Sequence, residues 1–216
     1  VLYAPDYASL ITREAQRSTM WISLSKLFPD REVVTAVATG PFQDELGGCA
    51  WICGKKKGTS APTPHRATLD LKRDFHTGLA ALARAVKNHR PDVLVADGQG
   101  ALAALGLVKA LVLEACLATR NVEIREALQI ARAWGALKAV VVTDPRVGKA
   151  VMNLDMLRAA VPEFFDRHSP WEGPECYAVQ AKYSPHFDVQ RQLFEALALD
   201  IKPHVEDQMI RRALEK

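Results

Sequence analysis

Cysteine is scarce in this chain: the four present (Cys49, Cys53, Cys116, Cys176) form no CxxC pair, and no histidine stands at finger spacing from them. That argues against a structural zinc module and a disulfide framework, and it predicts an intracellular, reducing compartment, with cytoplasm, nucleus and mitochondrion left undistinguished. No metal is expected. Long apolar runs are lacking too. The best, 101–118, is interrupted by Lys109 and Glu114, so nothing approaches the roughly eighteen residues that cross a bilayer, and no membrane partner is expected. There is no internal repeat, and the one low-complexity feature is the triple lysine Lys55, Lys56 and Lys57. The first residue is Val rather than Met, which predicts a processed or trimmed piece and leaves any targeting peptide out of view.

What is present is the composition of one globular domain spanning 1–216: 216 residues, 49% hydrophobic and 25% charged, with 12 Gly and 12 Pro. A chain of this length buries about two-thirds of its unfolded surface. A net charge of +3 is compatible with an anionic partner such as RNA without demanding one.

Apolar residues at helical spacing (Leu10, Ile11, Met20, Leu24, Leu27) predict a helix from about Ser9 to Leu27 inside an N-terminal helical segment, 1–30, closed by Pro29. Arg31–Thr39 reads as a buried strand and Cys49–Cys53 as a second. Residues 54–66 form a basic, flexible, Gly/Pro-bearing loop. From Asp74 to Asn88 the pattern is helical, and Asp92–Ala96 is an apolar strand delivering Asp97 into Gly98-Gln99-Gly100. Helices follow over about Ala101–Arg120 and Ile124–Trp134, then a strand Leu137–Thr143, a helix Lys149–Phe165 broken near Pro162, and a strand Cys176–Tyr183. This alternation predicts an α/β fold, a mostly parallel sheet with helices on both faces and the strands ending at Asp97 and Thr143 near its centre.

The Asp97 loop is the leading site candidate, because open α/β sheets bind ligands outside the carboxyl ends of their strands. The structural alternative is a strand-to-helix turn in which Asp97 caps the following helix and the glycines permit the bend. As a dinucleotide fingerprint the loop is incomplete, Ala103 standing at the third glycine of GxGxxG. An RNase H-type nuclease would need several carboxylates for two metal ions, and Arg31–Thr39, where one belongs, has none in its apolar part. Basic residues placed to touch phosphate are Lys55, Lys56, Lys57, Arg66, Lys72 and Arg73. Trp51, in an apolar strand, is expected in the core.

Four segments, in order and spacing, resemble the FtsJ-type RNA 2′-O-methyltransferases, a Rossmann-like S-adenosylmethionine-dependent family: Arg73-Asp74-Phe75, Asp92 through Asp97-Gly98, Gly135 through Asp144, and Ser169 with Glu175-Cys-Tyr-Ala-Val179. The likeness spans about two-thirds of the chain. It implies a Rossmann-like methyltransferase sandwich, cofactor contacts at Gly40, Asp74 and Asp97, and a Lys-Asp-Lys-Glu tetrad whose acids are Asp97 and Glu175. The lysines are lost: their positions fall near Ser23 and at Val141 or Val142. Ala36 replaces the acid of the cofactor loop and Phe42 its glycine. The expectation is therefore a degenerate FtsJ-like domain, without methyl transfer and without a cofactor, that binds RNA or a ribonucleoprotein as a structural or assembly factor, with other protein subunits as further partners. The alternative is an active S-adenosylmethionine-dependent enzyme on rRNA or cap ribose, and the third reading is the nuclease.

Overall fold

The computed structural model describes residues 1–6, 14–15, 18, 22, 25–26, 29–30, 32–43, 48–52, 64–112, 125, 137–146, 154–165, 174–179, 187–197 and 201–204. Its main sheet contains β1 (Leu2–Ala4), β2 (Ala36–Val37), β5 (Val93–Asp97), β6 (Ala139–Thr143), β7 (Glu175–Val179) and β8 (Ile201–His204). They lie in the order β2-β1-β5-β6-β7-β8, and every pairing is parallel. β3 (Phe42–Gln43) and β4 (Cys49–Ala50) make a separate antiparallel pair. The protein is thus α/β, with β5 and β6 at the centre of the sheet. Among the described residues the main sheet has no antiparallel pairing, which an RNase H-type sheet, a mixed one, would contain.

Strand composition explains the layering. Alternate residues of β1, β5, β6 and β7 (Leu2, Ala4, Leu94, Ala96, Val140, Val142, Cys176, Ala178) face one core. Val93, Ala139, Val141 and Tyr177 make a smaller buried cluster on the opposite face. The larger core is completed by α1 (Pro64–His89), α2 (Gly98–Val112), α3 (Leu154–Ala160), a 3-10 turn (Pro162–Phe164) and α4 (Phe187–Leu197). In α1, Leu71, Phe75, Leu79, Leu82 and Val86 recur at three- and four-residue spacing and are all buried. Pro64 opens this helix, where its missing N–H costs nothing. Arg90 ends it in the left-handed conformation (φ 47), its N–H reaching Val86 O at 2.9 Å, and Pro91 prevents resumption. α2 is apolar all round, and Ala101 through Ala110 is correspondingly buried.

β2 lies on the side of β1 opposite to β5, so right-handed connections from β1 to β2 and from β5 to β6 fall on opposite faces of the sheet. Glu14, Ala15, Ser18, Ile22, Ser25 and Lys26, on the first of these connections, are helical, in keeping with the helix read over Ser9–Leu27. Among the described residues, no helix is long and apolar enough to cross a membrane.

Several boundaries differ from the sequence reading. Arg31–Thr39 is not a buried strand: only Ala36–Val37 pairs, at the sheet edge, and Val34 is 68% exposed. Of Cys49–Cys53, Cys49–Ala50 is strand, Trp51 and Ile52 are not, and Cys53 lies outside the described residues, while Trp51 is buried as expected. α1 begins ten residues before Asp74, so 64–66 of the basic loop are helical, and 54–63 lie outside the described residues. The helix read over Ile124–Trp134 falls outside them except for Arg125. β1 and β8 carry no readable signal, whereas α4, absent from the sequence reading, has Val189, Leu193 and Leu197 at four-residue spacing. β1 is three residues long and ends at Pro5, and β8 contains Pro203, which is tolerated only at a sheet edge.

Candidate functional site

The chain leaves β1 for β2 on one side and later returns to β5 on the other, which makes the crevice beyond the carboxyl ends of β1 and β5 the topological switch point. Here β1 runs into Pro5-Asp6, β5 into Asp97-Gly98, and β6 into Asp144-Pro145-Arg146. These three connections and the end of β4 meet in one polar network. The Asp6 carboxylate accepts the Gln99 N–H (2.9 Å) and is paired with the Arg146 guanidinium. Arg146 N–H donates to Gly98 O (3.1 Å). Gln99 Oε1 accepts the N–H groups of Trp51 (3.0 Å) and Ile52 (3.1 Å), and Trp51 Nε1 donates to Pro5 O (2.7 Å). Thr143 Oγ1 donates to Asp97 Oδ1 (3.0 Å), and Gln190 Nε2 on α4 donates to Asp144 Oδ1.

Among the described residues the charges are unbalanced: Asp6, Asp97 and Asp144 act on one cation, Arg146. Burial raises the proton affinity of Asp97, the Thr143 hydrogen bond opposes this, Asp6 and Asp144 raise it further, and Arg146 lowers it, leaving its pKa above the usual value. Burial, then Asp97 and Asp6, push the Tyr3 phenol up to about 12. Burial works against the Arg146 charge, but Asp6, Asp144 and Asp97 outweigh it and hold the guanidinium firmly protonated. Arg146 Nε is buried without a hydrogen-bond partner among the described residues.

Gly98 is left-handed (φ 55), and a Cβ there would overlap the Asp6 carboxyl group. At Gly100 a Cβ would overlap the Ala4 carbonyl, so α2 can sit this close to β1 only with glycine in its first turn.

The sequence-derived residues are distributed differently from expectation. Asp97 does end the central strand, but it does not cap α2: its carboxylate takes Thr143, and Asp6 holds the helix amide. Glu175 is not beside Asp97. Register aligns Asp97 with Thr143 and Val179, and Val93 with Ala139 and Glu175, which separates the two acids by about 16 Å, four residues along and two strands across. An acid opening a strand shares an edge with the tip of β5 only if that strand runs antiparallel, and β7 is parallel. Glu175 instead accepts the Tyr177 hydroxyl. Val141 and Val142 are core residues, and Lys138 faces Asp92 (3.7 Å) at the amino end of the sheet.

Gly40 shares the carboxyl edge with Asp97, but β1 lies between their strands, and a Cβ on Gly40 would overlap the Ala50 carbonyl, so β4 backbone occupies that space. Asp74 is buried on α1, its Oδ1 accepting Arg73 Nη2 (3.0 Å) and Nε (3.2 Å). Arg73 also meets Asp70 (3.3 Å), and Lys72 meets Glu163 (3.6 Å). Arg66 belongs to α1, while Lys55, Lys56 and Lys57 lie outside the described residues. No group of three or more His, Cys, Asp or Glu among the described residues is disposed to hold a metal ion. Sequence reading missed Asp6, Gln99 and Arg146. Asp6 follows the unread strand β1, and nothing local to it signals a partner 140 residues away.

Fold and site together define an α/β domain with a parallel main sheet and a polar network at its switch point. No family model matches the chain, and no curated protein matches it. Among solved structures, the carboxylesterase of Bacillus cereus is similar at 14% identity and a TM-score of 0.47, over 100% of this chain and 84% of that one. That likeness carries no argument about chemistry.

Proposed function

We propose that this chain is a non-catalytic α/β domain, a degenerate methyltransferase-like unit that serves as a binding or assembly module on RNA or a ribonucleoprotein. One observation carries the non-catalytic part: at the switch point the turn residue is Gly98, and the chain's own Asp6 carboxylate, tied to Gln99 N–H and Arg146, fills the space beside it. The separation of Asp97 from Glu175 supports it, since carboxylates about 16 Å apart cannot tune a common proton-transfer site. Lys72 and Arg73 are engaged with acids, so contact with phosphate falls to Lys55, Lys56, Lys57 and Arg66.

Two measurements test this. Calorimetric titration with S-adenosylmethionine is expected to give no binding tighter than about millimolar, roughly −4 kcal/mol; a micromolar dissociation constant restores the enzyme reading. Binding to a structured RNA is expected to weaken with salt and to fall when Lys55, Lys56 and Lys57 are all changed to Glu. Equal affinity of parent and triple variant removes the RNA assignment.

A further inference from the structure

We propose that the Asp6–Arg146 contact is a pH-sensitive clasp on the carboxyl edge of the sheet, tightened when Asp97 takes up a proton and loosened when it is ionised. The clasp joins three connections that the sheet alone leaves separate. Asp6 comes from the end of β1, Gln99 from the first turn of α2, and Arg146 from the end of β6. Closure is completed by Arg146 N–H on Gly98 O, and by Gln99 Oε1 holding the Trp51 and Ile52 amides.

The geometry has a built-in conflict. Among the described residues, Asp6 and Asp144 both pair with one guanidinium, Arg146, and Asp97, bonded to Thr143 on β6, acts electrostatically on Tyr3, Asp6, Asp144 and Arg146. When Asp97 is ionised it repels Asp6 and Asp144 and competes for Arg146. When it is neutral, Arg146 is left to Asp6, with Asp144 behind it at 4.0 Å. Burial makes Asp97 protonate above its usual range as pH falls. Asp144, left-handed at φ 42 and held by Gln190, links the clasp to α4. The clasp is independent of the RNA reading, because none of its residues belongs to the basic set.

Hydrogen exchange on the full chain, corrected for intrinsic pH dependence, reads the clasp through the amides of Gln99, Arg146, Trp51 and Ile52, with Val140 in the central ladder as reference. Between pH 7.5 and 4, protection of the four is expected to rise relative to Val140 by about three- to tenfold, tenfold being a coupling of one pKa unit. Asp97→Asn, permanently neutral, is expected to show the higher protection at both pH values. Asp6→Asn is expected to lose protection at Gln99 and Arg146 at both; should it fail to fold, the comparison of parent with Asp97→Asn decides alone. Protection independent of pH in the parent, or a pH response retained in Asp97→Asn, overturns the proposal.

Discussion

Gly98 is where backbone conformation and side-chain space meet most tightly. Its φ of 55 disfavours any L side chain, and the Asp6 carboxyl group occupies the Cβ position. Gly98→Ala should therefore cost about 1–3 kcal/mol, from the left-handed backbone and the collision together. Urea unfolding of Gly98→Ala, Asp6→Gly and the double variant separates the two parts, because removing Asp6 relieves only the collision. The double variant should lose less than the sum of the single losses. Asp97 yields a prediction of opposite sign to the usual carboxylate. Its folded-state pKa lies above the ordinary 3.8, so the native state holds the proton more tightly than the unfolded chain. Its contribution to stability is most favourable at low pH, declines as pH rises from about 3.8 through the folded value, and is flat above it. Asp97→Asn should remove that decline, so the melting temperature of the variant minus that of the parent should increase from pH 4 to pH 7. A difference that stays constant or decreases over that range would contradict the raised value.

At the scale of elements, the close approach of α1 to α2 holds the larger core together. Phe75 on α1 is buried, meets Phe164 edge to face at 5.3 Å, and its Cζ lies 2.6 Å from where a Cβ on Gly106 of α2 would stand. Gly106→Ala should destabilise by about 1–3 kcal/mol through overpacking, since a buried ring flanked by Phe164 has nowhere to swing. Recovery in Gly106→Ala with Phe75→Leu, measured by denaturant midpoint, would identify the ring as the obstacle. α2 is readable as a helix from its sequence, but it begins at Gly98, three residues before the expected Ala101. Its first turn was misjudged. Local propensity points to the preceding residue, Asp97, as the cap, whereas the side chain that holds the Gln99 amide comes from Asp6, 93 residues earlier. Capping by a distant residue leaves no trace at i−1 or i+3. Lys109, 1% exposed on the same helix, is a second case: it donates to the carbonyl of Leu197, the last residue of α4. A lysine in an apolar helix reads as an interruption in the sequence, and in the fold it serves the unpaired carbonyls at another helix's end.

At the scale of the molecule, the parallel sheet should open only as a unit. Cys176 lies in β7, 1% exposed and paired on both sides, while Cys49 lies in the two-stranded β3–β4 pair at 7%. Labelling with a thiol reagent, resolved by peptide mass spectrometry, should modify Cys176 at the rate of global unfolding and Cys49 much faster, by local opening. Equal rates would mean that the β3–β4 pair is as secure as the central ladder.

The α/β class, the central position of β5 and β6, the burial of Trp51 and the pause at Pro162 were legible in the amino-acid order, because each is written in a local run of apolar or turn residues. The parallel direction of the main sheet was legible too, from the alternation of helices with apolar strands, but the order of the strands and which short runs join them were not. The short runs Leu2–Ala4 and Ile201–His204 carry no period of their own, and their status as strands comes from their neighbours: β1 completes the sheet between β2 and β5, and β8 extends it beyond β7. That order brings Asp6 to Gln99 and Arg146, and the parallel direction of β7 sends Glu175 to the end of the sheet opposite Asp97. A motif read along the chain says which acid opens or ends a strand. Only the direction of that strand in the sheet decides which edge the acid occupies, and so whether two acids can ever act on one proton.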